Sequence, residues 1–342
     1  MNNMSLAGHQ HAHASASRSD VVCISILFIW FASHSGSRLL PAPLELIDRM
    51  ATLVPAPRNH RLCYFGALAY SSARMSLHLT LAERMTHELG QAPMRALWDV
   101  VASRQGPAAE WHFDDLLHHE ARYLADLRLV EALAIAGPML ELGSAPGHMT
   151  ALLKLTGHAV VGIDLAPERV ANLVAEFGLD IRRCDIERGL LPLEDASFAG
   201  ALLCETFEHL RVDPGLVLSE LWRVLTPGAP LLLTTPNVYS IPSLGRFLLG
   251  RSVADPVEEF GKLRRMGHMG HVREYSAREV VRFLHAHGFE VESVAYRAHA
   301  NGRGWKRRLL QLAYWALPKR FRREIVIVAR KGQNGPGLMP LP

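Results

Sequence analysis

Cysteine is scarce in this 342-residue chain. Cys23, Cys63, Cys184 and Cys204 show neither close pairing nor metal-site spacing, which excludes a disulfide framework and fits a reducing, cytoplasmic setting. Long apolar runs are also missing. The best stretch, residues 21–32, falls short of the roughly 18 residues that span a bilayer and reads as a signal-peptide core, a short anchor or neither. The Gly-x-Gly-x-x-Gly fingerprint is not met, which disfavours a nicotinamide-dependent oxidoreductase. Acids are absent from residues 303–323, which hold eight Lys/Arg; without them the net charge of +4 becomes −4. The basicity is therefore local.

Apolar residues make up 49% and charged residues 20%, enough for a core in one α/β domain of about 200 residues with appendages. Residues 1–60 are rich in His, Ala and Ser and carry Pro41, Pro43, Pro55 and Pro57. They are expected to form a disordered leader, with Met50 or Met75 as alternative starts. Residues 61–130 form an N-terminal helical region, with helical patterns over 76–89 and 93–103 and a third over 113–135. Such helices either cover an active site or pack on a sheet edge. Residues 131–331 alternate short apolar runs with helical patterns, the signature of a mostly parallel, Rossmann-like sheet of seven strands with helices on both faces. The strands are placed at 139–142, 159–164, 179–183, 198–204, 231–235, 291–298 and 324–329. Asp213-Pro214 starts a helix that Pro227-Gly228 stops, and Ser276 with Glu279 makes a capping box. Residues 236–271 read as a long irregular segment, and 332–342 as a flexible tail.

The most informative stretch is Glu141-Leu142-Gly143-Ser144-Ala145-Pro146-Gly147. An apolar strand ends in an acid, and a turn of small residues opens a helix, so a ligand can lie against the backbone. Asp164 ends the next strand, about 20 residues past the turn, where a nucleotide fold places the acid for the ribose hydroxyls. Leu165 follows as an apolar wall for a purine. Asp185 ends the third strand and can accept from an adenine amino group, with the Ile186 N–H offered to the ring.

On these residues the segment from about 130 to 331 resembles the class I S-adenosylmethionine-dependent methyltransferases. Further likeness lies in the strand ending at Cys204, in Glu208-His209-Leu210, in Glu220-Leu221-Trp222-Arg223-Val224-Leu225-Thr226-Pro227-Gly228, in His271-Val272-Arg273-Glu274-Tyr275-Ser276 and in Gly288-Phe289-Glu290-Val291. Ala145 departs from the pattern, standing where the family usually has a second glycine. The resemblance implies S-adenosylmethionine as cofactor, held by Glu141, Gly143, Ser144, Gly147, Asp164, Leu165, Asp185, Ile186 and Cys204.

Glu205-Thr206-Phe207-Glu208-His209 carries the candidate chemistry. If a helix starts there, Glu205, Glu208 and His209 share one face, and two carboxylates with an imidazole suit a divalent metal such as Mg, Mn or Zn. The pentad is similar to the metal site of ubiquinone-pathway and small-RNA 2′-O-methyltransferases, where a further histidine follows the fifth strand; here that is His271, with His268 as rival. Two alternatives stand beside the metal: His209, with Glu208, as a direct base, or a purely structural role. The basic, aromatic-rich segment 303–323 reads as a helix on anionic lipid, as a packed helix with a solvated basic face, or, less favoured, as a nucleic-acid contact. Residues 234–239 and 271–276 look most like bacterial methyltransferases of glycans and lipid-linked intermediates. The expected acceptor is a hydroxyl on such a molecule, methylated in the cytoplasm or at the inner membrane face. Quinone-type or small phenolic acceptors, and a regulator that binds the cofactor without turnover, are the other readings.

Overall fold

Strands and helices alternate through the computed structural model, which describes residues 81–103, 107–266, 270–298 and 305–337. Apart from Trp315–Leu317, these belong to one compact unit, His60–Tyr314 with Pro318–Pro342. The leader 1–60, residues 61–80, His268 and the end of the tail lie outside the described residues. Two helices, α1 (Leu81–Ala102) and α2 (Pro107–Leu133), precede the sheet. Then follow β1 (Met139–Leu142), α3 (His148–Leu155), β2 (Val160–Asp164), α4 (Ala171–Phe177), β3 (Asp180–Arg183) and β4 (Gly200–Cys204). The second half holds α5 (Pro214–Val224), β5 (Pro230–Pro236), α6 (Ile241–Leu248), α7 (Pro256–Met266), α8 (Ala277–Ala286), β6 (Phe289–Arg297), α9 (Trp305–Ala316) and β7 (Glu324–Lys331).

The described strands form one seven-stranded sheet in the order β3-β2-β1-β4-β5-β7-β6. All pairs are parallel except those that β7 makes with β5 and β6. Successive strand residues point to opposite faces, so a sheet covered twice must be apolar throughout. Leu140, Leu142, Leu203, Leu231, Leu233, Ile325 and Ile327 pack with α5 and α8 through Leu218, Leu221, Val280 and Leu284. Their neighbours Met139, Leu202, Leu232, Val326 and Val328 pack on the other side with α1, α2 and α3 through Leu97, Leu116, Leu127 and Leu152. The strand order reverses between β1 and β4, and a ligand crevice opens beyond the carboxyl ends of strands at such a switch point.

Three local expectations are corrected. The region before Ser103 is one helix, α1, with Pro93 inside it, rather than two. The segment 236–271 is not irregular, since it contains α6 and α7. Each opens on a cap: the Ser240 hydroxyl accepts from the Ser243 N–H, and the Asp255 carboxylate accepts from the Val257 N–H. No helix starts at Glu205. That residue sits at φ 49°, and only a single 3-10 turn, Phe207–His209, follows.

Arg297 at the end of β6 locks α2 to the sheet. Its guanidinium donates to Asp126 of α2 at 2.6 Å and to both oxygens of Glu324 at 2.8 and 3.0 Å. Asp126 and Glu324 are both buried, and burial lifts the Asp126 carboxyl to about 6, opposed by Arg297. Removing the cation between two buried acids is costly. Arg297→Met is expected to lose about 3 kcal/mol or more in a urea titration, and adding Asp126→Asn should recover part of that loss.

Candidate active site

The crevice at the switch point has two parts. The first is a cleft of about 210 Å³ lined by Gly143, Asp164, Leu165, Asp185 and Ile186, among others. Gly143 lies at φ 74°, and a Cβ there would sit 2.2 Å from the Thr206 hydroxyl, so only glycine serves. Gly147, at φ 84°, opens α3. The Asp164 carboxylate accepts from the Ala145 N–H at 3.0 Å and from the Ala166 N–H at 2.8 Å, tying the tip of β2 to the small-residue turn. Asp185 accepts from the Glu187 N–H at 3.1 Å. Leu165 is exposed, an apolar wall beside the cleft. Ser144 turns its hydroxyl inward to the carbonyls of Glu141 and Ile163, so any ligand contact from it is made by other atoms. Glu141 is buried and accepts from the Thr150 hydroxyl at 2.5 Å. Burial raises its carboxyl to about 8 despite that bond.

The second part is a cavity of about 600 Å³ that shares Gly143, Ala145, Glu205 and His209 with the cleft. Glu141, Ser144 and Cys204 border it as well. Glu208, His209 and His271 each direct one ligand-type atom to a common point, all within 4.8 Å of one another. Glu208 Oε1 lies 3.8 Å from His209 Nε2 and 3.9 Å from His271 Nε2. Its other oxygen accepts from the Thr235 hydroxyl at 2.9 Å, while the buried Oε1 has no hydrogen-bond partner among the described residues. Burial, reinforced by the charge of Glu205, holds the Glu208 carboxyl well above the usual range. His209 donates from Nδ1 to the Gly270 carbonyl at 3.0 Å, and His271 Nδ1 lies 3.5 Å from Glu274. Each ring thus has a partner that orients its Nε2 toward Glu208, as ligating histidines do. One carboxylate and two imidazoles around an orphaned buried oxygen fit a divalent ion.

Glu205 is not part of this group. Its left-handed backbone sends the carboxylate to Arg122 at 3.1 Å and to the Thr234 hydroxyl at 3.1 Å. Of the four expected metal ligands the structure gathers Glu208, His209 and His271, and separates Glu205.

The sequence reading missed the wall made by α2. Asp115, His119, Arg122 and Tyr123 all border the cavity. Asp115 accepts from the Tyr123 hydroxyl at 2.6 Å and lies 3.0 Å from His119 Nδ1 and 3.2 Å from His148 Nδ1. Burial would raise its carboxyl, but the hydrogen bonds from His119 and His148 win and hold it well below the ordinary range. The spacing Asp115, His119, Tyr123 recurs every four residues on one helix face, a signal present in the sequence. Helix α2 therefore does both jobs left open above: it packs on α3 and lines the cavity.

Residues 140–233 match the family described as a methyltransferase domain. The matched segment runs from β1 into β5. It is 32% identical over 165 residues to a "Probable S-adenosylmethionine-dependent methyltransferase" of Mycolicibacterium smegmatis, covering 48% of this chain and 56% of that one. It is 31% identical over 137 residues to the malonyl-[acyl-carrier protein] O-methyltransferase of Erwinia billingiae, covering 39% and 52%. The chain thus spans about half the length of the curated relatives it matches. An S-adenosylmethionine-dependent methyltransferase structure from Mesorhizobium loti is 19% identical over 60% of this chain and 97% of its own, with a TM-score of 0.43. The cofactor that goes with such a domain is S-adenosylmethionine, and the cleft suits it: a backbone turn without side chains, then two acids and an apolar wall in nucleotide order.

Glu141 gives a pH test. Its carboxyl ionises near 4.5 when exposed and near 8 when folded. Between these values the folded state binds the extra proton, so stability of the cofactor-free protein should fall as pH rises from 4.5 toward 8. Thermal unfolding across that range should show a flatter profile for Glu141→Gln; an identical slope would exclude Glu141 as its source.

Proposed function

We propose that this chain is an S-adenosylmethionine-dependent O-methyltransferase acting on a hydroxyl of a glycan or lipid-linked intermediate, at the inner face of a membrane. The observation that carries the reading is the opening of the nucleotide-type cleft directly into a cavity floored by Glu208, His209 and His271. In this reading Asp164 takes the ribose hydroxyls on its remaining lone pairs, Asp185 and Ile186 hold the adenine, and Leu165 covers it. Glu141, Gly143, Ser144, Gly147 and Cys204 frame the methionine end.

When bound, S-adenosylmethionine supplies a methyl group on a sulfonium for in-line displacement. A hydroxyl needs help to attack, since its pKa lies far above neutral. His209 is built to give it. With Nδ1–H committed to Gly270, its Nε2 is the atom that takes the acceptor proton. In the alternative reading, a divalent ion held by Glu208, His209 and His271 would occupy that Nε2 and would itself polarise the acceptor oxygen, so that no base on His209 is needed. Glu205 acts from behind by fixing Arg122 against the same cavity.

A carboxylate acceptor, of the kind the Erwinia billingiae relative's name states, fits less well. Asp115, Asp255, Glu258 and Glu274 border the cavity and would repel it. Quinone-type phenols and a cofactor-binding regulator have no observation in their favour.

Calorimetric titration with S-adenosylhomocysteine is the first test, with micromolar binding expected. Asp164→Ala should weaken it by about 1–3 kcal/mol, since it removes charged-group hydrogen bonds both to the ligand and to the Ala145 turn. Binding that survives this change unaltered would overturn the site assignment. Methyl transfer should fall on chelation and return with Mg, Mn or Zn, and His271→Ala should abolish the metal response while leaving S-adenosylhomocysteine binding intact. Activity indifferent to chelator would remove the metal and leave His209 as the base.

A further inference from the structure

Helices α6 and α7, which cover the acceptor cavity, have their polarity reversed. On α7 and its cap, Asp255, Glu258, Glu259 and Lys262 border the cavity, while Val257 and Phe260 are 81% and 53% exposed. On α6, Ser243 and Arg246 border the cavity, while Phe247 and Leu248 are 72% and 65% exposed. This orientation is held in place. Glu259 is buried against Gly270, so close that a Cβ there would lie 1.6 Å from its Oε2, and Lys262 donates to Glu259 at 2.6 Å. The ordinary arrangement buries the apolar stripe and leaves charges outside. A cluster of large apolar side chains set in water marks a surface made for an apolar phase.

On the same surface exposed Lys and Arg outnumber the exposed acids Asp255 and Glu258. Arg251 and Arg264 are exposed on the segment itself. Asn237, which leads into α6, donates from its N–H to the Arg323 carbonyl and from its side chain to the Arg320 and Arg322 carbonyls, all at 2.8 Å. That bonding sets the 3-10 turn Lys319–Phe321 beside the root of α6, with Lys319, Arg320 and Arg323 exposed. Arg323 also borders the cavity.

We infer that α6, α7 and the 319–323 turn form a docking surface for an anionic lipid leaflet: the apolar side chains enter the acyl boundary and the cations meet the headgroups. The placement gives the surface its purpose. Ser243, Arg246, Glu258 and Arg323 of the same elements border the acceptor cavity, which would let a lipid-anchored acceptor reach His209 without leaving the leaflet. The inference rests on the lipid-linked acceptor proposed above, and it relocates the membrane contact expected at 303–323. Of that segment, the 319–323 turn is the part that Asn237 holds beside α6.

Co-sedimentation of the full chain with phosphatidylcholine vesicles, with and without phosphatidylglycerol, tests this. Binding is expected only when phosphatidylglycerol is present. Phe247→Glu with Phe260→Glu should lower partitioning about tenfold or more, as should Lys319→Glu with Arg320→Glu, while Leu312→Glu on α9 should change little. Val257→Glu alone, at the most exposed position, gives a variant that is safe for folding. Retained S-adenosylhomocysteine affinity in each variant shows that fold and cofactor site are intact. Vesicle binding by a chain that fails to bind S-adenosylhomocysteine would sink the methyltransferase reading and leave the surface standing. Absent binding, equal binding to both vesicle types, or binding unaltered in the Phe247 and Phe260 variant would overturn the inference. So would a dimer in sedimentation velocity that the same variant dissolves without any effect of vesicles.

Discussion

The site hangs on the burial of one carboxyl group, that of Glu208. Its side chain is all but removed from solvent past the carboxyl end of β4, with Thr235 on one oxygen and, among the described residues, no hydrogen-bond partner on the other. Its backbone carbonyl accepts from the N–H groups of Val272 and Arg273. Those two bonds bring the loop after the fifth strand back across the sheet edge and place His271 beside the acid. The Gly270 carbonyl in the same loop orients His209. A single residue therefore sets both the electrostatics of the cavity and the geometry of the two rings. An uncharged, unsatisfied oxygen in such a place is a standing energetic cost. It is relieved when a cation arrives or when a proton is shared with the histidines.

The two halves of the crevice are built on different physical terms. The cofactor cleft depends on backbone: a left-handed glycine, a turn of small residues, and an aspartate that spends bonds on holding that turn in place. Side-chain identity matters there at few positions, which is how Ala145 stands without a glycine and still donates its N–H to Asp164. The acceptor cavity depends on side chains from α2, the β4 turn, α6 and α7, each fixed by ion pairs such as Arg122 with Glu205 and Arg297 with Asp126. A cleft of the first kind can be shared by many proteins with different substrates. A cavity of the second kind can be remade by changing a few residues without disturbing the sheet.

This difference also governs what could be read from sequence. The central strands β1, β4, β5 and β7 were legible because they are apolar on both faces, and the edge strands β3 and β6, partly exposed, were legible from their place between helical patterns. Asp213-Pro214 announced its helix, and Ser276 with Glu279 formed the capping box expected of them. The equivalent signals at Ser240 and Asp255-Pro256 went unread for a physical reason. Both helices are amphipathic, but they are short, 8 and 11 residues, and each contains a glycine, Gly245 or Gly261, that lowers its helix propensity. Glu205 was placed with Glu208 and His209 by assuming helical spacing, and its left-handed backbone breaks that spacing. Nothing local in the sequence announces that turn. The role of His271 was legible through resemblance alone, since it depends on hydrogen bonds between segments more than 60 residues apart.

The charge pattern of the chain follows from the reversed polarity of α6 and α7. Acids from α2, the β4 turn and α7 outnumber the cations Arg122, Arg246, Lys262 and Arg323 that border the cavity with them, while Lys319 and Arg320 stand exposed on the outer side. An α-helix with side chains is about 10–12 Å across, while charges in physiological salt are screened over about 8 Å. Salt damps only the solvent-facing charges, so the outer cations act at short range while acids walled off from salt keep a longer reach. In the proposed reading the interior disfavours anionic acceptors while the exterior meets an anionic surface. A net charge near neutrality conceals this arrangement because it averages over a division that the fold keeps sharp.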